Sequence, residues 1–399
     1  MFYICFIKNT LYRHNKTRYM KNIFTTFTLA LCILLLGCDT SQKSNSNEND
    51  LVNYLENNWQ SPEEYVIKKF EDHDYVFIGE YHRIKHDVDL ILRLIPLLQE
   101  NGINTLGIEF GNYEDQHLVD SLLELPYFDR SLARQIIFNC TYFWGYTEYI
   151  DIYRVAWEVN HAENADLKNK FRVVNLSALY NPCEEGGAWS KINPDIFMAD
   201  VIFKEIINKN EKALIYSGCR HAFTKYHQPL YDFENDTLFG FNNTRMGNVI
   251  YDSLKDKVFN IYLHAAWTSD KGWNEKSVLP VNGVIDSIMS IFNNKPVGFD
   301  VINSPFGKLT SNNSYYALGY PNFTLDQFCD GYIFQNSFKN YMPITMEDDF
   351  ITLENLPRVK KNMECFGHEK ADIDSLTVEN AKEFFFEDIR WHFEHLMKE

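Results

Sequence analysis

The sequence predicts an α/β fold with a mainly parallel central sheet flanked by helices on both faces and a helical C-terminal extension. Two observations carry this expectation. Six short runs rich in β-branched and aromatic residues recur along the chain: Tyr75–Ile78, Thr105–Ile108, Phe171–Val174, Ala213–Tyr216, Val258–Leu263 and Val297–Phe299. Each is closed by a polar residue or a glycine, and stretches with helical spacing lie between them. Strands alternating with helices read as βαβ units, and apolar runs without polar alternation suit strands covered on both faces.

The helical stretches follow from their spacing. His86–Gln99 places Ile91, Leu94, Ile95 and Leu98 on one face and stops at Gly102, a residue suited to the left-handed position after a helix. Tyr149–Val159 and Asp195–Asn208 are the next two. In the former, Tyr149, Tyr153 and Trp157 recur every four residues, a stripe expected to pack into the core. Val378–Met397 follows a Thr377 N-cap and keeps Val378, Ala381, Phe385, Ile389, Phe393 and Leu396 at steps of three or four.

Composition bounds the class. The chain has 399 residues, 45% hydrophobic and 23% charged, which excludes a disordered or collagen-like protein. The net charge of -17 excludes a nucleic-acid partner, because phosphate contacts need clustered Lys and Arg. Residues 1–37 are expected to be a signal peptide, with Met20 a candidate start: Lys21 precedes an apolar run from Ile23 to Leu36, too short for a comfortable membrane span. Leu35-Leu36-Gly37-Cys38 resembles a bacterial lipobox, which implies lipidation of Cys38, anchoring to a lipid bilayer and residence in the bacterial cell envelope. The polar, Ser/Asn-rich residues that follow are expected to form a flexible tether, so that 38–60 is anchor and tether, 61–305 the α/β core and 306–399 the extension packed on it. Cys140, Cys183, Cys219, Cys329 and Cys365 show no C-x-x-C pairing; buried thiols are expected, with at most two disulfides.

In an open parallel sheet, ligands bind beyond the carboxyl ends of the strands. The residues at those ends are Gly79-Glu80-Tyr81-His82, Glu109, Ser217-Gly218-Cys219-Arg220-His221, His264 and Asp300. Two Gly-x-x-His patterns, each after an apolar strand, place an imidazole where the chain turns sharply. Glu109 lies between Ile108 and Phe110, an apolar setting that should raise its proton affinity and suit it to general-base work. Glu80 and Glu109 could equally be structural partners of Arg220 or Arg245. Arg245 could hold an oxyanion or cap a helix, His264 could be a core histidine, and His86 reads chiefly as part of a solvated face. The nucleophile elbow G-x-S-x-G, the P-loop and G-x-G-x-x-G are absent.

Gly79-Glu80-Tyr81-His82, Gly107-Ile108-Glu109-Phe110 and Tyr216-Ser217-Gly218-Cys219-Arg220-His221-Ala222 resemble the haem-binding-uptake/Tiki superfamily over roughly residues 65–270. That group includes ChaN-like haem-binding lipoproteins and erythromycin-esterase-like hydrolases. The resemblance implies that His82 and His221 are the two motif histidines, and that Glu80 and Glu109 are the acids of the first and second strands. Arg245 and His264 match loosely, and Pro194-Asp195 stands where ChaN-like members carry an Arg-Asp pair. The candidate catalytic residues are therefore Glu80, His82, Glu109, Arg220, His221, Arg245 and His264.

Three functions follow as expectations. One is a Glu/His hydrolase acting on an ester or peptide bond of a small-molecule or peptide substrate, with a divalent metal on His82, His221 and Glu109 as a variant. The second is a haem- or iron-binding surface lipoprotein, and the third a binding protein without catalysis.

Overall fold

The computed structural model describes residues 40–163, 169–179, 181–184, 192–272 and 275–397. The signal peptide and Cys38 lie outside the described residues. The strands are β1 (Tyr75–Glu80), β2 (Thr105–Asn112), β3 (Arg172–Ser177), β4 (Ala213–Gly218), β5 (Gln228–Asp232), β6 (Thr237–Asn242), β7 (Val258–Leu263), β8 (Val297–Asp300) and β9 (Gly331–Phe334). The helices before the sheet's last strands are α1 (Thr40–Asn58), α2 (Pro62–Lys69), α3 (Lys85–Glu100), α4 (Gln116–Glu124), α5 (Arg130–Cys140), α6 (Thr147–Asn160), α7 (Pro194–Glu205), α8 (Met246–Leu254) and α9 (Val284–Ile291). They are followed by α10 (Leu325–Phe328), α11 (Leu356–Cys365), α12 (Lys370–Ser375) and α13 (Val378–Met397).

Seven strands form one sheet in the order β3-β2-β4-β1-β7-β9-β8, and β5 and β6 form a separate antiparallel hairpin. Every pairing in the large sheet is parallel except β8 with β9. Side-chain alternation divides the core between the two faces. Val76, Ile78, Leu106, Ile108, Phe110, Leu214 and Tyr216 pack with residues of α3, α5 and α6. Phe77 and Ile215 pack on the opposite side with Met198, Ala199 and Ile202 of α7 and Ile250 of α8.

The expected helices are present, and Thr377 caps α13 by accepting from the Asn380 backbone N–H at 3.3 Å. Three expectations are corrected. The tether does not extend to residue 60: α1 runs to Asn58, with Leu51 and Leu55 buried in a cluster that includes Ile285, Ile288 and Phe306. Those two leucines, one turn apart, give the polar segment an apolar stripe to bury. The core does not close at 305, because β9 sits inside the sheet between β7 and β8. Finally, β8 runs antiparallel, so Asp300 ends at the sheet edge opposite the other strand termini, where it accepts from Tyr65 (2.8 Å) and Lys69 (2.5 Å) of α2.

Cys183 and Cys365 form a disulfide that joins the segment after β3 to the end of α11, while Cys140, Cys219 and Cys329 are buried free thiols. Among the described residues no helix is long and apolar enough to cross a membrane.

Leu55→Ala should lower the unfolding free energy by about 2–5 kcal/mol, the usual cost of emptying a buried leucine site. Asn57→Ala should be nearly neutral. Equal, small effects in chemical denaturation would restore the tether reading of this segment.

Candidate functional site

The carboxyl ends of β2, β4 and β1 lie side by side. β1 and the loop after β4 approach so closely that a Cβ on Gly79 would sit 2.7 Å from the Cys219 Cα, and the Cys219 N–H donates to the Glu80 carbonyl at 2.8 Å. Only glycine permits that contact. The arrangement sends Glu80 toward the α6 face and Glu109 toward the α7–α8 face.

On the α6 face, Glu80 is 1% exposed and accepts three hydrogen bonds. His82 Nδ1 meets its Oε1 at 2.7 Å, the Tyr149 hydroxyl donates to Oε1 at 2.5 Å, and the Tyr216 hydroxyl donates to Oε2. The His82 side chain itself is 38% exposed. Its ring stands edge-on to Trp144 at 5.0 Å and to Phe110 at 6.0 Å, and Phe110 stacks on Tyr149 at 4.0 Å. A buried carboxylate thus fixes one nitrogen of a solvent-accessible imidazole, and aromatic walls fix the ring plane.

On the other face four charges alternate. Glu109 Oε1 lies 3.3 Å from His221 Nε2, His221 Nδ1 lies 2.7 Å from Asp195 Oδ1, and Arg245 Nη1 donates to Asp195 Oδ2 at 2.9 Å. Arg245 Nη2 donates to Gln228 at 2.7 Å. Asp195, in the first turn of α7, also accepts the Met246 N–H at the start of α8 at 2.9 Å, so two helix N-termini favour its charge. Burial opposes the charge on His221, but Glu109 and Asp195 outweigh it and push the imidazole up to about 10. Burial would raise Glu109, yet His221, His82 and the Gly218 N–H bring it down to about 2. The raised proton affinity expected for Glu109 from its apolar neighbours is therefore corrected: its side chain faces two imidazoles, His221 foremost, and a backbone donor, not Ile108 and Phe110.

Gly218 joins the two halves. Its N–H donates to Glu109 Oε2 at 2.7 Å. A Cβ at this position would lie 2.7 Å from His82 Nε2 and 3.4 Å from Glu109 Oε2. The bare backbone lets the His82 ring lie over the strand end beside Glu109. Arg220 is partly exposed, and its charge acts on Tyr81, Tyr315 and Tyr316.

Six of the seven candidates therefore meet at this edge. His264 does not join them: it is buried, with Nδ1 2.7 Å from the Tyr332 hydroxyl and Nε2 3.2 Å from Asp286 Oδ1, in a separate bonded set beyond β7. His86 is not on a solvated face but packs on Tyr341 at 4.7 Å, and burial first, then His264, lowers it to about 4. Asp195, Tyr149 and Tyr216 are the partners the strand-end reading did not assign to the site. Ser217 is fully buried, and burial pushes the Cys219 thiol up to about 11, so neither is a ready nucleophile.

The metal variant does not fit. Both His221 nitrogens face carboxylates, His82 Nδ1 is committed to Glu80, and no group of three His, Cys, Asp or Glu among the described residues could hold a metal ion. His221, charged and clamped at both nitrogens, also has no lone pair to offer a haem iron.

No family model matches the chain, and no curated protein matches it. Solved structures share the fold. A succinoglycan biosynthesis protein superposes with a TM-score of 0.52 at 12% identity, over 76% of this chain and 99% of that one. A Bacillus cereus protein superposes with a TM-score of 0.50 at 9% identity, over 75% and 99%. An erythromycin esterase mutant in its open conformation is similar at a TM-score of 0.48 and 9% identity, over 72% and 95%. The mainly parallel α/β architecture expected from the sequence is thus a fold found in solved proteins.

Two of the shifted groups, His221 and Glu109, give this edge a pH dependence of its own. His221 contributes stability in full below the ordinary imidazole value of 6.5 and loses it as pH rises through about 10. Glu109 contributes in full above 4.5 and loses it as pH falls through about 2. Thermal unfolding of the wild type should therefore weaken between neutrality and about 10, by on the order of a few kcal/mol. His221→Gln should be less stable at neutrality and should lose less stability than the wild type over that range; parallel wild-type and variant curves would contradict the charge assignment.

Proposed function

We propose that this chain is an envelope lipoprotein that hydrolyses an ester or peptide bond by activating water at His82. The observation that carries the reading is the Glu80–His82 pair: a buried carboxylate with three donors, one of them an imidazole that reaches solvent. A carboxylate on Nδ1 fixes the tautomer that leaves Nε2 as the base. In that role His82 takes a proton from water as the water oxygen bonds to the carbonyl carbon. It then returns the proton to the leaving oxygen or nitrogen as that bond to carbon breaks, so no protein nucleophile is needed.

The second face supplies charge rather than a second base. His221, held as an imidazolium between two carboxylates, is a fixed cation near the reacting edge. Arg220, at the rim, would face the oxyanion that forms on the carbonyl oxygen. The lipoprotein part of the proposal rests on the basic start, the apolar run and the Leu-Leu-Gly-Cys38 sequence. The Cys183–Cys365 disulfide supports it, because such bonds persist in oxidising compartments outside the cytosol.

Turnover of a panel of activated esters, lactones and peptides by residues 38–399 is the direct test. His82→Ala and Glu80→Gln should each lower kcat by about 10²–10⁴, the usual range for loss of a general base, with the melting temperature of His82→Ala little changed. Wild-type turnover in both variants would overturn the proposal. A haemin absorption band that disappears in His82→Ala would favour a haem-binding protein instead.

A further inference from the structure

Glu80 is not the only buried carboxyl beneath the His82 turn. Asp87, in the first turn of α3, is 1% exposed. Its Oδ1 accepts from the Gln335 amide at 2.9 Å, and Tyr81's backbone N–H also faces the carboxyl. Its Oδ2 is buried without a partner. His86 Nε2 lies 3.6 Å from Oδ1, but His86 is lowered to about 4 and is uncharged at neutrality. Glu80 of β1, Tyr216 of β4 and Tyr341 also interact electrostatically with Asp87, and none of these three is a cation.

The two acids are unequal hosts for a negative charge. Glu80 has three donors, two phenolic hydroxyls and an imidazole; Asp87 has an amide, a backbone N–H and one bare oxygen. A buried carboxylate without hydrogen bonds or a countercharge is costly, and two neighbouring carboxyls avoid ionising together. Burial first, and then the charge of Glu80, hold Asp87 well above the usual carboxylate range.

We infer that Asp87 is a positioning residue for the Glu80–His82 pair: it stays protonated, so that Glu80 is the one anion in this layer, and it anchors the turn between the pair through Tyr81. A charged Asp87 would raise the proton affinity of Glu80, and a protonated Glu80 would no longer set a carboxylate against His82 Nδ1. The consequence for catalysis rests on the proposal that His82 is the base; the protonation state and the anchoring do not.

Infrared spectroscopy at neutral pH tests the first part without any substrate. The wild type should show the carbonyl stretch of a protonated carboxylic acid, missing in Asp87→Asn and retained in Glu80→Gln. Absence of the band from the wild type, its survival in Asp87→Asn, or its loss in Glu80→Gln alone would overturn the assignment.

The proton resonance of the His82 Nδ1–H bonded to Glu80 tests the second part. It should persist in Asp87→Asn, which keeps the shape and the neutral charge, and be lost or strongly broadened in Asp87→Ala. Loss in Asp87→Asn, or an unchanged signal in Asp87→Ala, would contradict the positioning role. If Asp87→Ala does not fold, Asp87→Asn against the wild type still decides. Where the wild type turns over an ester, Asp87→Asn should keep kcat within about threefold and Asp87→Ala should lose tenfold or more, with KM unchanged. An absence of wild-type turnover would count against the hydrolase proposal and leave the infrared and resonance results standing.

Discussion

The site depends on a largely buried ladder of alternating charges, in which the carboxylates of Glu109 and Asp195 are buried and the cations His221 and Arg245 are partly exposed. Ions taken out of water are expensive, and removing one partner of a buried pair is among the most damaging single changes to a protein. The ladder is tolerated because nearly every position is over-provided. Asp195 has an imidazole, a guanidinium and a backbone N–H; Glu109 has an imidazole and the Gly218 N–H. These bonds tie β2, α7, the loop after β4 and the start of α8 to one another. They also keep His221 charged at neutrality, and that divides the labour between the two motif histidines.

The second consequence is geometric. Alternation along β1 and β2 sends Glu80 and Glu109 to opposite faces of the sheet, so two acids that look equivalent in sequence have different surroundings. Glu80 sits among tyrosines and holds a half-exposed imidazole. Glu109 sits against the Gly218 N–H and holds a charged imidazole. Gly218 lies at the crossing, where any side chain would push the His82 ring aside and displace it from Glu109. The repeated Gly-x-x-His pattern is in this sense two solutions to the same need, a sharp turn at a crowded strand end.

Much of this was legible in the sequence, because strands buried on both faces announce themselves as unbroken apolar runs and their polar terminators stand out. What the sequence hid has physical causes. Strand direction is not encoded in an apolar run, so Asp300 read like the other terminators although β8 is reversed. β9 is four residues long and its run of Tyr332, Ile333 and Phe334 is too short to register as a sheet member. Tyr149 and Tyr216 look like core residues and are core residues; only their hydroxyls reach the site. Asp195 follows a proline at the start of α7 and reads in the sequence as a helix-start residue with no cation beside it. Its guanidinium partner comes from Arg245, fifty positions later in the chain. Such a pairing is invisible to local motif reading and plain once α7 and α8 lie side by side.

The central claim is that His221 is a cation in the folded protein at neutral and mildly alkaline pH. Nitrogen-15 spectroscopy of the imidazole side chains at mildly alkaline pH tests it most directly. The account predicts that both His221 nitrogens carry protons, each bonded to a carboxylate. A neutral tautomer, with one bare nitrogen, would contradict it and leave the second face of the site without its fixed charge.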